Sequence, residues 1–187
     1  MSKVIFSFFS GSGFLDLGFE TSGFETVFVN EFHKPFLDAY KYSRKKLRIP
    51  EPKYGYHHCS IDDFLSDKEL LSELKSRIKA EQDKGNTVGF IGGPPCPDFS
   101  VGGKNKGKEG ENGRLTESYI DLIGLCKPDF FMFENVKGLW RTKRHREFYE
   151  AMKTKLESNN YSLSDRLTNC IEFGSPQDRD RIILFGI

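Results

Sequence analysis

The stretch "KVIFSFFSGSGFLDLGFETS" (3–22) runs apolar, breaks at two glycines, and resumes with apolar residues at helical spacing. Residues 3–9 read as a buried strand, a short continuous apolar run bounded by turn residues. Residues 14–22 read as a helix that starts after the glycine turn. A strand feeding a helix in this way opens a β-α-β pattern and predicts parallel strands. The glycines also remove side chains where a ligand would approach the backbone, and a nucleotide is the usual ligand of such a turn. The dinucleotide pattern G-x-G-x-x-G needs a third glycine at position 16, where Asp16 stands. Glu31 sits near the end of the next strand, where a carboxylate grips ribose hydroxyls. A glycine loop and an acidic ribose ligand without the third glycine point to an adenosine cofactor other than NAD. A tight turn with no ligand is the other reading of this segment alone.

The alternation continues down the chain. "ETVFVN" (25–30) is a second strand, "KPFLDAYKYSRKK" (34–46) a second helix, and a short strand is expected near residue 58. Residues 67–84 carry leucines at helical spacing and stop at Gly85, and "TVGFIGG" (87–93) is a strand. Residues 116–127 form a helix capped by Thr116 and ended by Pro128. A strand (129–136), a helix (144–159) and strands at 161–170 and 181–187 complete the pattern. The expected fold is α/β, a doubly wound and mostly parallel sheet of Rossmann-like type. In such sheets ligands bind beyond the carboxyl ends of the strands. The unusual segments 10–13, 92–100 and 134–136 all fall there.

At 187 residues the chain reads as a single domain spanning 1–187. Its net charge of +1 gives no global basic field, so nucleic-acid contacts must come from local patches. No stretch approaches the roughly 18 apolar residues of a membrane span, and "MSKVIFSFF" lacks a signal-peptide pattern. The expectation is a cytoplasmic protein with no membrane association. The four cysteines (59, 96, 126 and 170) form no C-x-x-C pair, which argues for free thiols and against a metal site. "HHC" (57–59) is the only short metal-like cluster. Lysines 104, 106 and 108 lie in a long glycine- and lysine-rich loop (101–113), whose length suggests a mobile functional segment. With the run "KGLWRTKRHR" (137–146) they offer phosphate contacts or merely a solvated charged loop, and His145 reads as part of that solvated face.

"GGPPCPDFS" (92–100) holds Cys96 on a turn that prolines exclude from a helix or a central strand. A thiol at a strand end, with its pKa lowered, is a candidate nucleophile. Cys126 and Cys170 read as structural. Glu134 ends the apolar run "FFMF", where a carboxylate needs a partner or a raised pKa unless it simply faces water.

"PPC…S" after a fourth strand, "ENV" ending a fifth, the early glycine loop, and "FGSPQDRDRIILFGI" (173–187) occur in this order along the chain. In this the sequence resembles the DNA (cytosine-5)-methyltransferases, whose fold is that of S-adenosylmethionine-dependent methyltransferases. The resemblance implies methyl transfer to carbon 5 of a flipped cytosine in double-stranded DNA through a covalent adduct on Cys96, with Glu134 at ring nitrogen 3. It implies a cofactor pocket of Phe9, Ser10, Gly11, Gly13, Glu31, Ser60, Ile61 and Pro94, with Phe9 on the adenine and Glu31 on the ribose. Ser100 is expected on the flipped nucleotide's backbone and Asn135 on the loop carrying Cys96. Gln177 is expected to order its turn, and Arg179 and Arg181 to touch the base or nearby phosphates. Salt bridges from those arginines to Asp178 and Asp180 are the plain alternative.

Pro97 stands where the family usually has Gln, and Ser60 where it often has the Asp that meets the adenine amino group. The target-recognition region and the last conserved segment of the family are not in these 187 residues. The expectation is therefore a split-gene subunit, an engineered or cloned fragment, or a degenerate remnant, none of which selects a DNA sequence without a second polypeptide or the absent part. A cofactor-binding but inactive subunit and an RNA cytosine methyltransferase are the competing functions.

Overall fold

A computed structural model of the chain describes residues 1–95 and 111–187. Cys96, Pro97, Ser100 and the lysines at 104, 106 and 108 lie outside the described residues. The chain forms two compact units, Met1–Gly92 with Cys126–Phe130, and Gly93–Leu125 with Phe131–Ile187.

The first unit contains β1 (Lys3–Phe8), α1 (Phe14–Thr21), β2 (Glu25–Asn30), α2 (Lys34–Leu47) and β3 (Tyr56–His57). It continues with α3 (Ile61–Ser66), α4 (Lys68–Gln82) and β4 (Thr87–Gly92). The strands run in the order β3-β2-β1-β4, every pair parallel. β1 and β4 pair without a slip from Lys3↔Thr87 to Phe8↔Gly92. Strands covered on both faces cannot alternate polar and apolar residues, which is why β1 and β2 read as continuous apolar runs. Their rings interlock: Phe8 lies 4.8 Å from Phe90, and Phe64 of α3 meets Phe8 edge-on at 87°. Helix α3 is not apparent from hydrophobic periodicity because it is a single turn and a half. It is held by a capping box in which Ser60 caps its start and Asp63 accepts from the Ser60 N–H.

The end of α4 is tied down by Glu81, which is 3% exposed. It accepts from Tyr54 Oη, Lys84 Nζ (3.0 Å) and Asn86 Nδ2 (2.9 Å), and pairs with Lys53. Burial by itself raises its carboxyl, but these four donors outweigh it and hold it at about 2. Its stabilising effect is therefore complete above the ordinary 4.5 and disappears as pH falls through about 2. Glu81→Gln is expected to destabilise the protein by on the order of 2 kcal/mol at neutral pH, both lysines being half in water. The deficit should shrink progressively in urea titrations taken from pH 5 down to pH 2. An unchanging deficit would contradict the anchor.

The second unit contains α5 (Glu111–Cys126) up to Leu125, β5 (Phe130–Val136) from Phe131, α6 (Lys137–Arg141), α7 (Lys143–Ser158), β6 (Leu163–Asn169), a 3-10 turn (Cys170–Phe173) and β7 (Asp180–Gly186). Here the order is β5-β7-β6 and both pairs are antiparallel. The α/β class holds, with the parallel pairing in the first unit. β6 and β7 are joined by a ten-residue return with no crossover helix, and a connection of that kind reverses the strand.

Three local expectations are corrected. Thr116 does not cap α5: the helix starts at Glu111, and Thr116 lies fully buried inside it. The run 137–146 is not a loop but α6 and the first turn of α7, with Gly138 and Leu139 buried. His145 is not on a solvated face; it is 2% exposed. In each case the charged residues occupy one side of a helix whose other side packs inward, a pattern that a count of charges conceals.

Candidate active site

In the first unit, the chain leaves β1 and turns sharply at Phe9 (φ 51°) and Gly11 (φ 55°) before Gly13 (φ 90°) caps α1. A side chain at Gly11 would meet no neighbouring atom, so the outer side of the turn is open. Gly13 is obligatory for a different reason: a Cβ there would lie 2.6 Å from the Tyr40 ring. Glu31 follows β2 and is 7% exposed. One of its oxygens accepts from Gly11 N–H at 2.8 Å and the other from His33 N–H at 2.7 Å, the residue that begins α2. A carboxylate has about four acceptor positions, so two remain for a ligand. Ser10 is 8% exposed, and its buried Oγ has no hydrogen-bond partner among the described residues.

Ser60 and Ile61 lie at the start of α3. Ser60 Oγ accepts from Asp62 N–H at 3.3 Å, and Ile61 is buried. The serine is thus occupied in capping. Asn30 was not singled out from the sequence, yet it secures this corner. Its Nδ2 donates to the carbonyls of His57 (3.1 Å) and Cys59 (2.9 Å), joining the end of β2 to the chain that enters α3. The signal was present as a buried amide closing the apolar strand "FVN". His57 of the "HHC" cluster lies flat on Phe28 at 4.3 Å, and burial lowers its pKa. Among the described residues no group of three His, Cys, Asp or Glu side chains is arranged to hold a metal.

In the second unit, Glu134 and Asn135 point to opposite faces of β5. Phe131, Phe133 and Asn135 are buried on one face, whereas Met132, Glu134 and Val136 are half-covered on the other. This alternation is how a carboxylate follows so apolar a run. Arg181 stands diagonally across on β7, one register step beyond the Asn135↔Ile182 pair. Its Nε lies 2.6 Å from Glu134 Oε1, and the two side chains are 19% and 28% exposed. Asn135 is 1% exposed; its Nδ2 donates to the Pro94 carbonyl at 3.4 Å, and its Oδ1 accepts from Val136 N–H at 2.9 Å. Gly93 fits against the acid so closely that a Cβ there would be 2.9 Å from Glu134 Oε2.

The plain alternative for the two arginines fails. Asp180 pairs with Lys137 at 2.7 Å, Asp178 accepts from Asn169, and Arg181 takes Glu134. Arg179 and Gln177 are exposed, and Arg179 has no ion-pair partner among the described residues. Asn169, not anticipated from the sequence, organises this turn. Its Nδ2 donates to Asp178 (2.7 Å) and Asp180 (2.8 Å), and its Oδ1 caps the 3-10 turn. Cys126 is buried with its thiol pushed up to about 12, whereas Cys170 is only half-buried.

The first unit thus offers a glycine turn backed by an acid after β2, and the second an acid followed by a buried amide near the end of β5. A family model for C-5 cytosine-specific DNA methylase matches residues 4–187, and the chain belongs to that family. It is 61% identical over 183 residues to the type II methyltransferase M.NmeDI of Neisseria meningitidis serogroup C, covering 98% of this chain and 43% of that protein. It is 34% identical over 182 residues to M.FnuDI of Fusobacterium nucleatum, covering 97% of this chain and 46% of that protein. The chain thus spans less than half the length of these relatives. A crystal structure of a prophage-encoded candidate DNA modification methyltransferase of E. coli superimposes with a TM-score of 0.72 at 22% identity, over 100% of this chain and 47% of that one. That likeness concerns the fold. Among the described residues no helix is long and apolar enough to cross a membrane.

Gly93→Ala is expected to drive Glu134 off Arg181 while leaving the fold intact. A crystal structure of the variant should show the ion pair broken, and any rate that depends on this carboxylate should fall at least about tenfold. An undisturbed pair would show that the close fit has no consequence.

Proposed function

We propose that these residues carry the methyl-transfer centre of a DNA cytosine-5 methyltransferase working as one catalytic domain. The observation that carries the reading is the closing end of β5. There Glu134 is held by Arg181, while the next residue, Asn135, holds the Pro94 carbonyl two residues before Cys96. An acid and the approach to a thiol are thereby fixed by adjacent residues of one strand.

Carbon 5 of cytosine is a weak nucleophile. Addition of the Cys96 thiolate to carbon 6 turns the ring into an enamine, and Glu134 at ring nitrogen 3 stabilises the charge that this addition places there. S-adenosylmethionine, the methyl donor of this family, supplies a methyl group on a sulfonium centre. Carbon 5 of the enamine would take that methyl group as its bond to the sulfonium breaks and leaves a neutral thioether; loss of the carbon 5 proton to water then re-forms the ring double bond and lets the thiolate leave. Arg181 orients Glu134, and exposed Arg179 is available to the base or to a phosphate; contact with the flipped nucleotide's backbone is assigned to Ser100 on the family resemblance. The base must leave the duplex to meet these groups.

The glycine turn fits an adenosine donor on three counts: open space at Gly11, free acceptor positions on Glu31, and an unsatisfied hydroxyl at Ser10. Phe32, 69% exposed directly after Glu31, offers a ring for a base to cover, as does half-buried Phe9. Ile61 lines the donor site of the first unit in this reading, and Ser60 contributes through the backbone it caps. The relatives are more than twice the matched length. We assign selection of the DNA sequence to what lies outside the match, on the same polypeptide or on a second one.

Covalent trapping tests the proposal. The full-length protein, incubated with S-adenosylmethionine and duplex DNA containing 5-fluorocytosine, should form a denaturant-stable adduct that Cys96→Ala abolishes and Glu134→Gln slows at least about a hundredfold. Absence of an adduct in the wild type would favour an inactive, donor-binding subunit. Trapping on transfer RNA in preference to DNA would reassign the acceptor.

A further inference from the structure

Beneath the glycine turn lies a buried polar chain that the chemistry above does not use. Asp16, in the first turn of α1, is fully buried. One of its oxygens accepts from Ser7 Oγ of β1 at 2.7 Å, and the other from Tyr40 Oη of α2 at 2.7 Å. Tyr40 Oη accepts in turn from Arg44 Nη1 at 2.9 Å, and Arg44 pairs with Glu20 of α1. Three elements around the turn are therefore joined through one carboxylate. The Tyr40 ring is also the surface on which Gly13 rests, with no room for even a Cβ between them.

We propose that Asp16 and Tyr40 are positioning residues for the methyl donor: their hydrogen bond holds the tyrosine ring against Gly13 and so sets the backbone shape of the turn at residues 9–13. This rests on the reading of that turn as the donor site. The physical reason is economy of freedom. Gly11 and Gly13 are the residues with the most backbone freedom to lose, and a turn built from them keeps a binding shape only if something outside it does the holding. Glu31 restrains the Gly11 side through one N–H, and Tyr40 restrains the Gly13 side by contact.

The device is linked to protons. Burial pushes the Asp16 carboxyl up to about 6, against the pull of its Tyr40 and Ser7 hydrogen bonds and of Arg44. The ionised group accepts from both hydroxyls. Once protonated it has to donate through one oxygen, so one of the two bonds is turned round or lost. The groups facing it are Ser7 from β1, Glu20 from α1, and Tyr40 and Arg44 from α2, with Tyr56 of β3 packed edge-on against Tyr40. Donor affinity is therefore expected to fall as pH drops through about 6.

The test is calorimetric binding of S-adenosylmethionine to the full-length protein at pH 5.5, 6.5 and 7.5. Tyr40→Phe, which keeps the ring and removes the hydroxyl, should bind about tenfold more weakly at pH 7.5 with an unchanged circular dichroism spectrum. The wild type should lose affinity severalfold between pH 7.5 and 5.5, and Asp16→Asn should abolish that slope, which a purely structural role would not do. Wild-type affinity and pH profile in both variants would overturn the inference while leaving the donor site standing. Should a variant not fold, the wild-type profile and Ser7→Ala decide, and a flat profile overturns it. A wild type that does not bind S-adenosylmethionine at any pH would instead remove the donor reading itself.

Discussion

A buried strand that stops must hand its last polar groups to a partner, and in this protein short polar side chains at the carboxyl ends of strands are those partners. Glu31 and Asn30 close β2, and Asn135 closes β5, each bonding backbone groups of a neighbouring segment. Leaving such groups unsatisfied costs about 1–3 kcal/mol apiece. The same side chains that meet this structural demand also shape the edge where chemistry is proposed. Stability and site geometry are thus coupled at individual residues.

The division of labour between the units follows from their strand directions. Parallel strands with helices between them leave all their carboxyl ends on one rim, which concentrates the glycine turn, Glu31 and the Ser60 cap together in the first unit. In the second unit, antiparallel pairing brings Arg181, at the start of β7, beside Glu134, near the end of β5. A parallel β7 would have brought its opposite end there. The antiparallel strand is thus what supplies the acid with its cation.

Strand-end chemistry was more legible in the sequence than helix surfaces were. Gly11, Gly13, Glu31, Glu134 and Asn135 stood out because each breaks a local rule: glycine beside a strand, or a polar group closing an apolar run. Residues that keep the local rules stayed hidden. Asp16 shows in the sequence only as the residue that replaces a third glycine, and nothing local marks Tyr40 or Asn169. Their roles depend on partners 24, 24 and 9 residues away respectively. Charge and capping patterns misplace His145 and Thr116 because they carry no information about the face on which a helix packs.

What the sequence by itself determined is the order of the strands and of the longer helices in the chain, the α/β class, and the residues that stand at strand ends, since hydrophobic period and glycine placement are local properties. Only the tertiary structure decided that β7 runs antiparallel, that Arg181 turns to Glu134 and not to its neighbouring aspartates, and that Tyr40 supports Gly13. Those outcomes are competitions among distant partners for the same charge, hydrogen bond or space. Such competitions are settled by which groups the folded chain brings within about 3 Å of one another, the range of a hydrogen bond.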